Sequence, residues 1–274
     1  MKNIICFLTV RPNNIFLDFC EKLIKYHDIY ICIDDNNYNI DTKYTKFNII
    51  KIDNLFCENE GYKNSVGWFE NKACSRDKAI YYFCNVKTDY KYLWMIEEDV
   101  LIPHIDTIIN IDNKYPNEDL LCSENYIIYE KRTDWWWNKV FNECKLNLPY
   151  AKSMICAIRV SNKLMICIKN YVDLYHNLFF DETLFTTIAL HNNLKVNPIE
   201  ELSSIGYDIK WNLIDIIKTK LYHPVKDILT QHNFRNSIIE HFTSTNTNSN
   251  IIILFIILFI IILFFIHLKI LNKV

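Results

Sequence analysis

Short apolar runs alternate with amphipathic stretches along most of this chain, and that alternation restricts its fold more than any other feature. "NIICFLTV" (3–10) reads as a strand, and 15–26 carries Ile15, Phe16, Phe19, Leu23 and Ile24 at helical spacing. "DIYICIDD" (28–35) and "FNIIKID" (47–53) are the next strands, and a helix over 71–84 precedes the strand ending in "YLWMI". "LLCSENYIIY" (120–129) and "SMICAIRV" (153–160) read as two more strands, with helices at 161–172, 182–192 and 211–220. Strands interleaved with helices imply an α/β fold, a mostly parallel central sheet flanked by helices on both faces. In such sheets ligands bind beyond the carboxyl ends of the strands. Asp34, Asp35 and the Glu97–Glu98–Asp99 group stand at such ends.

Glycine narrows the chemistry. The chain has 3 glycines, Gly61, Gly67 and Gly206, too far apart to form a glycine-rich phosphate cradle. A bound phosphate must therefore be neutralised by side chains or by a metal. Charge adds an exclusion: 30 basic against 32 acidic residues leave no basic excess for a nucleic-acid partner. None of the 10 cysteines forms a CxxC pair, and Cys6, Cys32, Cys84, Cys156 and Cys167 sit in apolar runs, where a thiol behaves as a small hydrophobe. Reduced thiols in a cytosol-facing domain are expected.

The two ends read differently. "MKNIICFLTVRP" has no small-residue cleavage site and is expected to be a first strand, not a signal peptide. From 251 to 266 every residue is apolar, and Leu268, Ile270 and Leu271 extend the run toward the ~20 residues that a bilayer core requires. The polar "TSTNTNSN" (243–250) precedes it. The expected organisation is a catalytic domain over 1–242, a linker over 243–250 and a single C-terminal transmembrane helix over 251–271. A tail anchor of this kind leaves the domain in the cytosol, although the basic residues after the run favour the opposite orientation.

In an extended strand end, residues two apart face the same side, so Glu97 and Asp99 pair and Glu98 faces away. Two carboxylates on one side of a strand tip are a partial cage for a hard divalent cation; the alternative is a charged turn leading into Pro103. One helix earlier, Asp77 falls on the apolar stripe of Ala73, Ile80, Tyr81 and Cys84. An inward charge requires a partner, and the neighbouring Arg76 is one candidate.

"ACSRDKAIYYF" followed by "YKYLWMIEEDV" resembles the middle of a nucleotide-sugar glycosyltransferase of the GT-A fold, across roughly residues 3–103. In that fold a helix bearing Arg and Asp precedes a strand ending in a D-x-D motif that holds manganese or magnesium. The resemblance implies that Glu97 and Asp99 are metal ligands in an E-x-D variant of the motif. It places Arg76 and Asp77 at the bound donor, a nucleoside-diphosphate sugar. It also implies that Thr9, Arg11, Asp34 and Asp35 hold the base and ribose. In the second half, "NLFFDETLFTTIAL" starts a helix near Asp181. Asp181 reads as a first-turn acid favoured by the helix dipole. Glu182 is either the same or, by the resemblance, the general base of an inverting enzyme. "YHPVKD" supplies His223, by the resemblance a further metal ligand and otherwise a packing residue, and Lys226 as a contact to the diphosphate. In "TDWWWN" at least one of Trp135, Trp136 and Trp137 is expected outside the core, where an indole can stack on an acceptor sugar. Arg159 and Ser161 are candidates for the acceptor floor.

Together these readings point to a membrane-anchored, metal-dependent glycosyltransferase acting on a glycan, protein or lipid acceptor. An inactive scaffold of the same fold and a metal-dependent phosphohydrolase are the alternatives.

Overall fold

The structure, a computed structural model, describes residues 3–66 and 71–238. Its first strand, β1 (Ile4–Thr9), is buried along its whole length. Ile4, Cys6 and Leu8 enter one apolar layer while Ile5 and Phe7 enter another, the period of two expected of a strand covered on both faces. The chain continues through α1 (Asn14–Leu23), β2 (Asp28–Ile33), β3 (Asn48–Ile50), α2 (Asn54–Asn59), α3 (Ser75–Asn85) and β4 (Tyr92–Glu97). It then forms α4 (Asp106–Lys114), β5 (Leu120–Cys122), β6 (Tyr126–Ile128), α5 (Trp137–Glu143), β7 (Tyr150–Lys152), β8 (Ala157–Ser161), α6 (Asn162–Tyr175), α7 (Asp181–His191) and β9 (Val196–Pro198).

Seven strands form one sheet in the order β3-β2-β1-β4-β8-β5-β9. β8 runs antiparallel to both its neighbours and the other pairings are parallel, so the expected mostly parallel α/β sheet is present. Residues of α3, α6 and α7 fill one face, and residues of α1 and α4 the other. A smaller cluster gathers Leu101, Ile216, Tyr222 and Val225 beside the sheet, with Trp211 packed against it.

Several expected elements differ. The strand expected over 120–129 divides, because β6 leaves the main sheet to pair with β7. The strand expected from 153 starts at Ala157. The helix expected over 211–220 is absent: only a short 3-10 turn forms at Leu213–Asp215. The Tyr222 hydroxyl takes the Ile217 N–H (2.9 Å) and donates to the Asp215 carbonyl (3.0 Å), so a side chain occupies groups that a helix would pair with each other. The apolar spacing there does not mark a buried face, since Leu213, Ile214 and Ile217 are exposed. The linker over 243–250 and the apolar run over 251–271 lie outside the described residues. Among the described residues no helix is long and apolar enough to cross a membrane.

Candidate active site

Strand register assembles the site. Leu8 of β1 aligns with Glu97 of β4, and Thr9 aligns with Ile33 of β2, so three strand tips end at one edge. Backbone bonds continue past the strands, with Asp34 N–H donating to Thr9 O (2.9 Å) and Glu98 N–H to Leu8 O (3.0 Å). Glu98 turns toward β1 and accepts from the Thr9 hydroxyl. Burial raises its pKa. Glu97 and Asp99 face the other way.

A distant segment completes that acidic pair. Leu101 and Tyr222 exchange backbone hydrogen bonds (2.8 and 3.1 Å), and Val225 N–H donates to Asp99 O at 2.7 Å. Between these ties lies His223, which is buried. Its Nε2 is 3.4 Å from Asp99 Oδ1 and 3.8 Å from Glu97 Oε2. Its Nδ1 is 2.7 Å from the Gly206 carbonyl oxygen. A carbonyl can only accept, so Nδ1 carries the proton, and in the neutral ring the Nε2 lone pair points at the two acids. Two carboxylates and one oriented imidazole form a donor set suited to a divalent cation of the manganese type. The Cys156 sulfur, His223 and a Glu97 oxygen also lie within 4.8 Å of one another.

Behind the acids sits Arg76, fully buried at the start of α3. Its Nη2 donates to Glu97, its Nε lies 3.0 Å from Asp181 Oδ2 and its Nη1 donates to Ile155 O at 3.1 Å. Burial opposes the charge on Arg76, but Asp181 and Glu97 outweigh it and hold the guanidinium protonated. One charge is shared between two acids, so at Asp181 burial prevails over the arginine and its pKa is raised. Arg76 is thus enclosed by protein groups, and in this conformation it offers no free face to a nucleotide. Asp181 is no mere first-turn acid of α7, since its carboxylate pairs with Arg76.

Asp77 does face inward, but its partner is not Arg76. Its carboxylate accepts from Cys74 N–H (2.8 Å) and Ser65 N–H (3.2 Å), closing the N-terminus of α3. Burial outweighs these bonds and raises its pKa to about 6. With both oxygens engaged and no exposed surface, Asp77 is a cap, a correction to its expected place at the donor.

Glu182 follows Asp181 on α7 and is half-buried. Burial raises its pKa to about 7, against the pull of Lys152 and Arg76. Lys152 reaches Glu124 at 2.9 Å and lies 5.0 Å from the Trp135 ring centre. The tryptophan run is not a strand: Trp135 has φ 55°, Trp136 caps α5 and Trp137 is its first residue. Trp137 is 1% exposed, whereas Trp135 and Trp136 are 37% and 40% exposed, so two indoles lie outside the core. Both rings flank Phe180, at 5.4 and 5.9 Å between centres, immediately before the acids of α7. Arg159 and Ser161 lie elsewhere. Arg159 is buried against Asp112 (3.0 Å) and Ser161 bonds Asp119 (2.9 Å) and caps α6, so neither floors a site near Glu182.

On the opposite flank, Arg11 pairs with Asp35 at 2.6 Å. Bonds from Asn37 N–H and Arg11 lower the Asp35 pKa. Thr9 is buried and engaged with Glu98, which removes it from the expected base and ribose contacts. Asp34 Oδ1 is buried without a hydrogen-bond partner, 3.6 Å from Lys78 Nζ. Lys78, itself fully buried, donates to Asp34 O (2.7 Å) and Asn36 Oδ1 (2.8 Å). Lys226 is exposed and lines a shallow depression with Asn13, Asn14 and Asp227.

The sequence pattern gives no role to Lys78, takes Cys156 as a small hydrophobe in an apolar run and takes Asp181 as a first-turn acid only. For Lys78 and Asp181 a signal exists: Lys78 follows Arg76 and Asp77 in the first turn of α3, and Asp181 stands beside a second acid at the start of α7. Cys156 carries no such signal, because a thiol in an apolar run looks the same whether or not it borders a site.

No family model and no curated protein matches the chain. Solved structures do. A galactosyltransferase, LgtC, in complex with donor and acceptor sugar analogs is 10% identical with a TM-score of 0.40, covering 71% of this chain and 72% of its own. 4-Diphosphocytidyl-2C-methyl-D-erythritol synthase from Anaerococcus prevotii is 9% identical with a TM-score of 0.40 over 72% of this chain and 87% of its own. Mouse xyloside xylosyltransferase 1 is 10% identical with a TM-score of 0.37 over 72% and 84%. At these scores the likeness assigns no residue a role, and the roles below rest on the geometry already described.

Proposed function

We propose that the protein is a metal-dependent glycosyltransferase that moves a sugar from a nucleoside-diphosphate sugar to an acceptor hydroxyl. The observation that carries this reading is the convergence of His223 Nε2 on Asp99 and Glu97 from a separate segment, with Nδ1 fixed by Gly206. A divalent cation held by these three residues would neutralise the diphosphate leaving group, a task the glycine-poor chain has no backbone cradle to perform. Asp34, whose Oδ1 faces Lys78 while the rest of the carboxylate is part-exposed at the tip of β2, accepts a hydroxyl of the donor's ribose. Arg11 and Asp35 flank the base, and Lys226 reaches the phosphates from the edge of the site.

Glu182 acts as the general base. Its pKa of about 7 suits proton removal near neutral pH, because a base poised there is both substantially ionised and strong enough to accept a proton. It takes the acceptor's hydroxyl proton as the oxygen attacks the anomeric carbon from the face opposite the diphosphate, which inverts the configuration. Trp135 and Trp136 present indole faces for an acceptor sugar beside it. The apolar run over 251–271 anchors the domain to a membrane by its C-terminal end, with the catalytic part facing the cytosol. Turnover of a panel of sugar nucleotides with manganese tests the reading: release of nucleoside diphosphate that Glu182→Gln abolishes supports it, and a folded protein inert toward the full panel overturns it.

A further inference from the structure

Cys156 stands one residue before β8, and its backbone carbonyl accepts from Glu97 N–H at 2.9 Å. That bond fixes the thiol against the acid at the tip of β4. Cys156 is more than nine-tenths buried, and its sulfur lies within 4.8 Å of both His223 and a Glu97 oxygen. The same cluster therefore carries a sulfur, a ring nitrogen and carboxylate oxygens on three separate segments.

Distances favour a shared ion. Two donors bound to one cation at ~2.0–2.3 Å in tetrahedral geometry lie roughly 3.3–3.8 Å apart. His223 to Asp99 (3.4 Å) and His223 to Glu97 (3.8 Å) already match. The sulfur lies within 4.8 Å of the His223 and Glu97 donor atoms, and an ion drawing its ligands inward closes the remainder.

We propose that Cys156 is an additional ligand of the Glu97–Asp99–His223 centre and makes it selective for thiophilic divalent ions. The proposal rests on the metal centre argued above. Donor softness sets the behaviour. Magnesium, a hard ion, uses the carboxylates and water and leaves the thiol protonated. Zinc, cadmium or cobalt recruits the sulfur: an S–metal bond replaces the S–H bond, one proton leaves to solvent and no electron is transferred. The centre then has an S, N, O donor set, in which zinc and cadmium outcompete magnesium and, at sufficient concentration, manganese.

Cobalt titration of the full chain tests this directly. Wild-type protein is expected to show a near-ultraviolet sulfur-to-cobalt charge-transfer band that is absent in Cys156→Ser and in Asp99→Ala. Cadmium affinity is expected to fall at least about tenfold in Cys156→Ser while magnesium affinity stays within about twofold, so retained magnesium binding also certifies the fold of the variant. Cys156→Ala, which offers no ligand atom at all, is expected to show the same losses. Cobalt that binds in an Asp99-dependent way without a sulfur band, or a band that persists in Cys156→Ser, overturns the role of Cys156 and leaves the metal centre standing. Failure of any divalent ion to bind overturns the centre itself, and with it this proposal.

Discussion

Arg76 Nε lies 3.0 Å from Asp181 Oδ2, joining the first turn of α3 to the first turn of α7 through a fully buried ion pair. Because Arg76 also donates to Glu97, this pair ties the strand tip that bears the acids to the helix that bears Glu182. Removing one partner strands an uncompensated charge in the interior. Arg76→Met is expected to lower unfolding stability by about 3–5 kcal/mol in chemical denaturation. The double variant Arg76→Met, Asp181→Leu should recover much of that loss, since an apolar pair of similar volume avoids the desolvation of both charges. Wild-type stability in the single variant would contradict the buried pairing.

Asp77 separates a capping role from a binding role. Asp77→Ala leaves the Cys74 and Ser65 amides without their acceptor and should destabilise the fold by about 1–3 kcal/mol. At temperatures where the variant is folded, its affinity for nucleoside diphosphate should equal that of the wild type. A large loss of affinity with unchanged stability would place Asp77 in the donor site after all.

Glu182 couples stability to pH with a definite sign. Its folded-state pKa of about 7 lies above the ordinary 4.5, so as pH rises the unfolded chain ionises first. Stability from this residue is therefore lost between about pH 4.5 and pH 7. Glu182→Gln should be more stable than wild type above pH 7, by on the order of 1–3 kcal/mol, and equal to it near pH 4. Thermal melts across this range check the sign. Turnover in the wild type should rise through pH 7 as the base ionises, and a rate that is flat there would remove Glu182 from proton transfer.

The tryptophans divide by exposure. Trp137→Ala should destabilise the protein by about 3–5 kcal/mol, the penalty for emptying a large buried site. Trp135→Ala should leave stability nearly unchanged and raise the acceptor KM roughly three- to tenfold, with donor binding unaffected. Equal effects on donor and acceptor would indicate a general distortion.

The parts of the fold that were legible in the sequence are those whose burial follows a simple period. β1, β2 and β4 bury nearly every residue, α1 buries one stripe, and α6 and α7 begin within a residue of where the spacing puts them. The segment over 211–220 defeated the same rule because Tyr222, from outside the segment, takes its backbone groups. At the site, Glu97 and Asp99 do share a side and Glu98 faces β1, but strand alternation is not the reason: β4 ends at Glu97, and a turn closed by Val100 N–H on Glu97 O (3.0 Å) sets the two later acids. The approach of His223 does not follow from local pattern either, because it depends on the Leu101–Tyr222 bridge between segments more than a hundred residues apart. Asp181 reads as a helix-start acid by position and Glu182 as a base by resemblance, whereas the direction of each side chain on α7 sends the first to Arg76 and leaves the second half-exposed.

Calorimetric titration of the full chain with a nucleoside diphosphate is the most direct measurement of the central claim, that Asp99, Glu97 and His223 hold a cation which in turn holds the donor. Binding is expected with manganese, absent without a divalent ion, and lost in both Asp99→Ala and His223→Ala while their folds persist by circular dichroism. Binding of equal strength with and without metal, or undiminished in Asp99→Ala, would contradict the account.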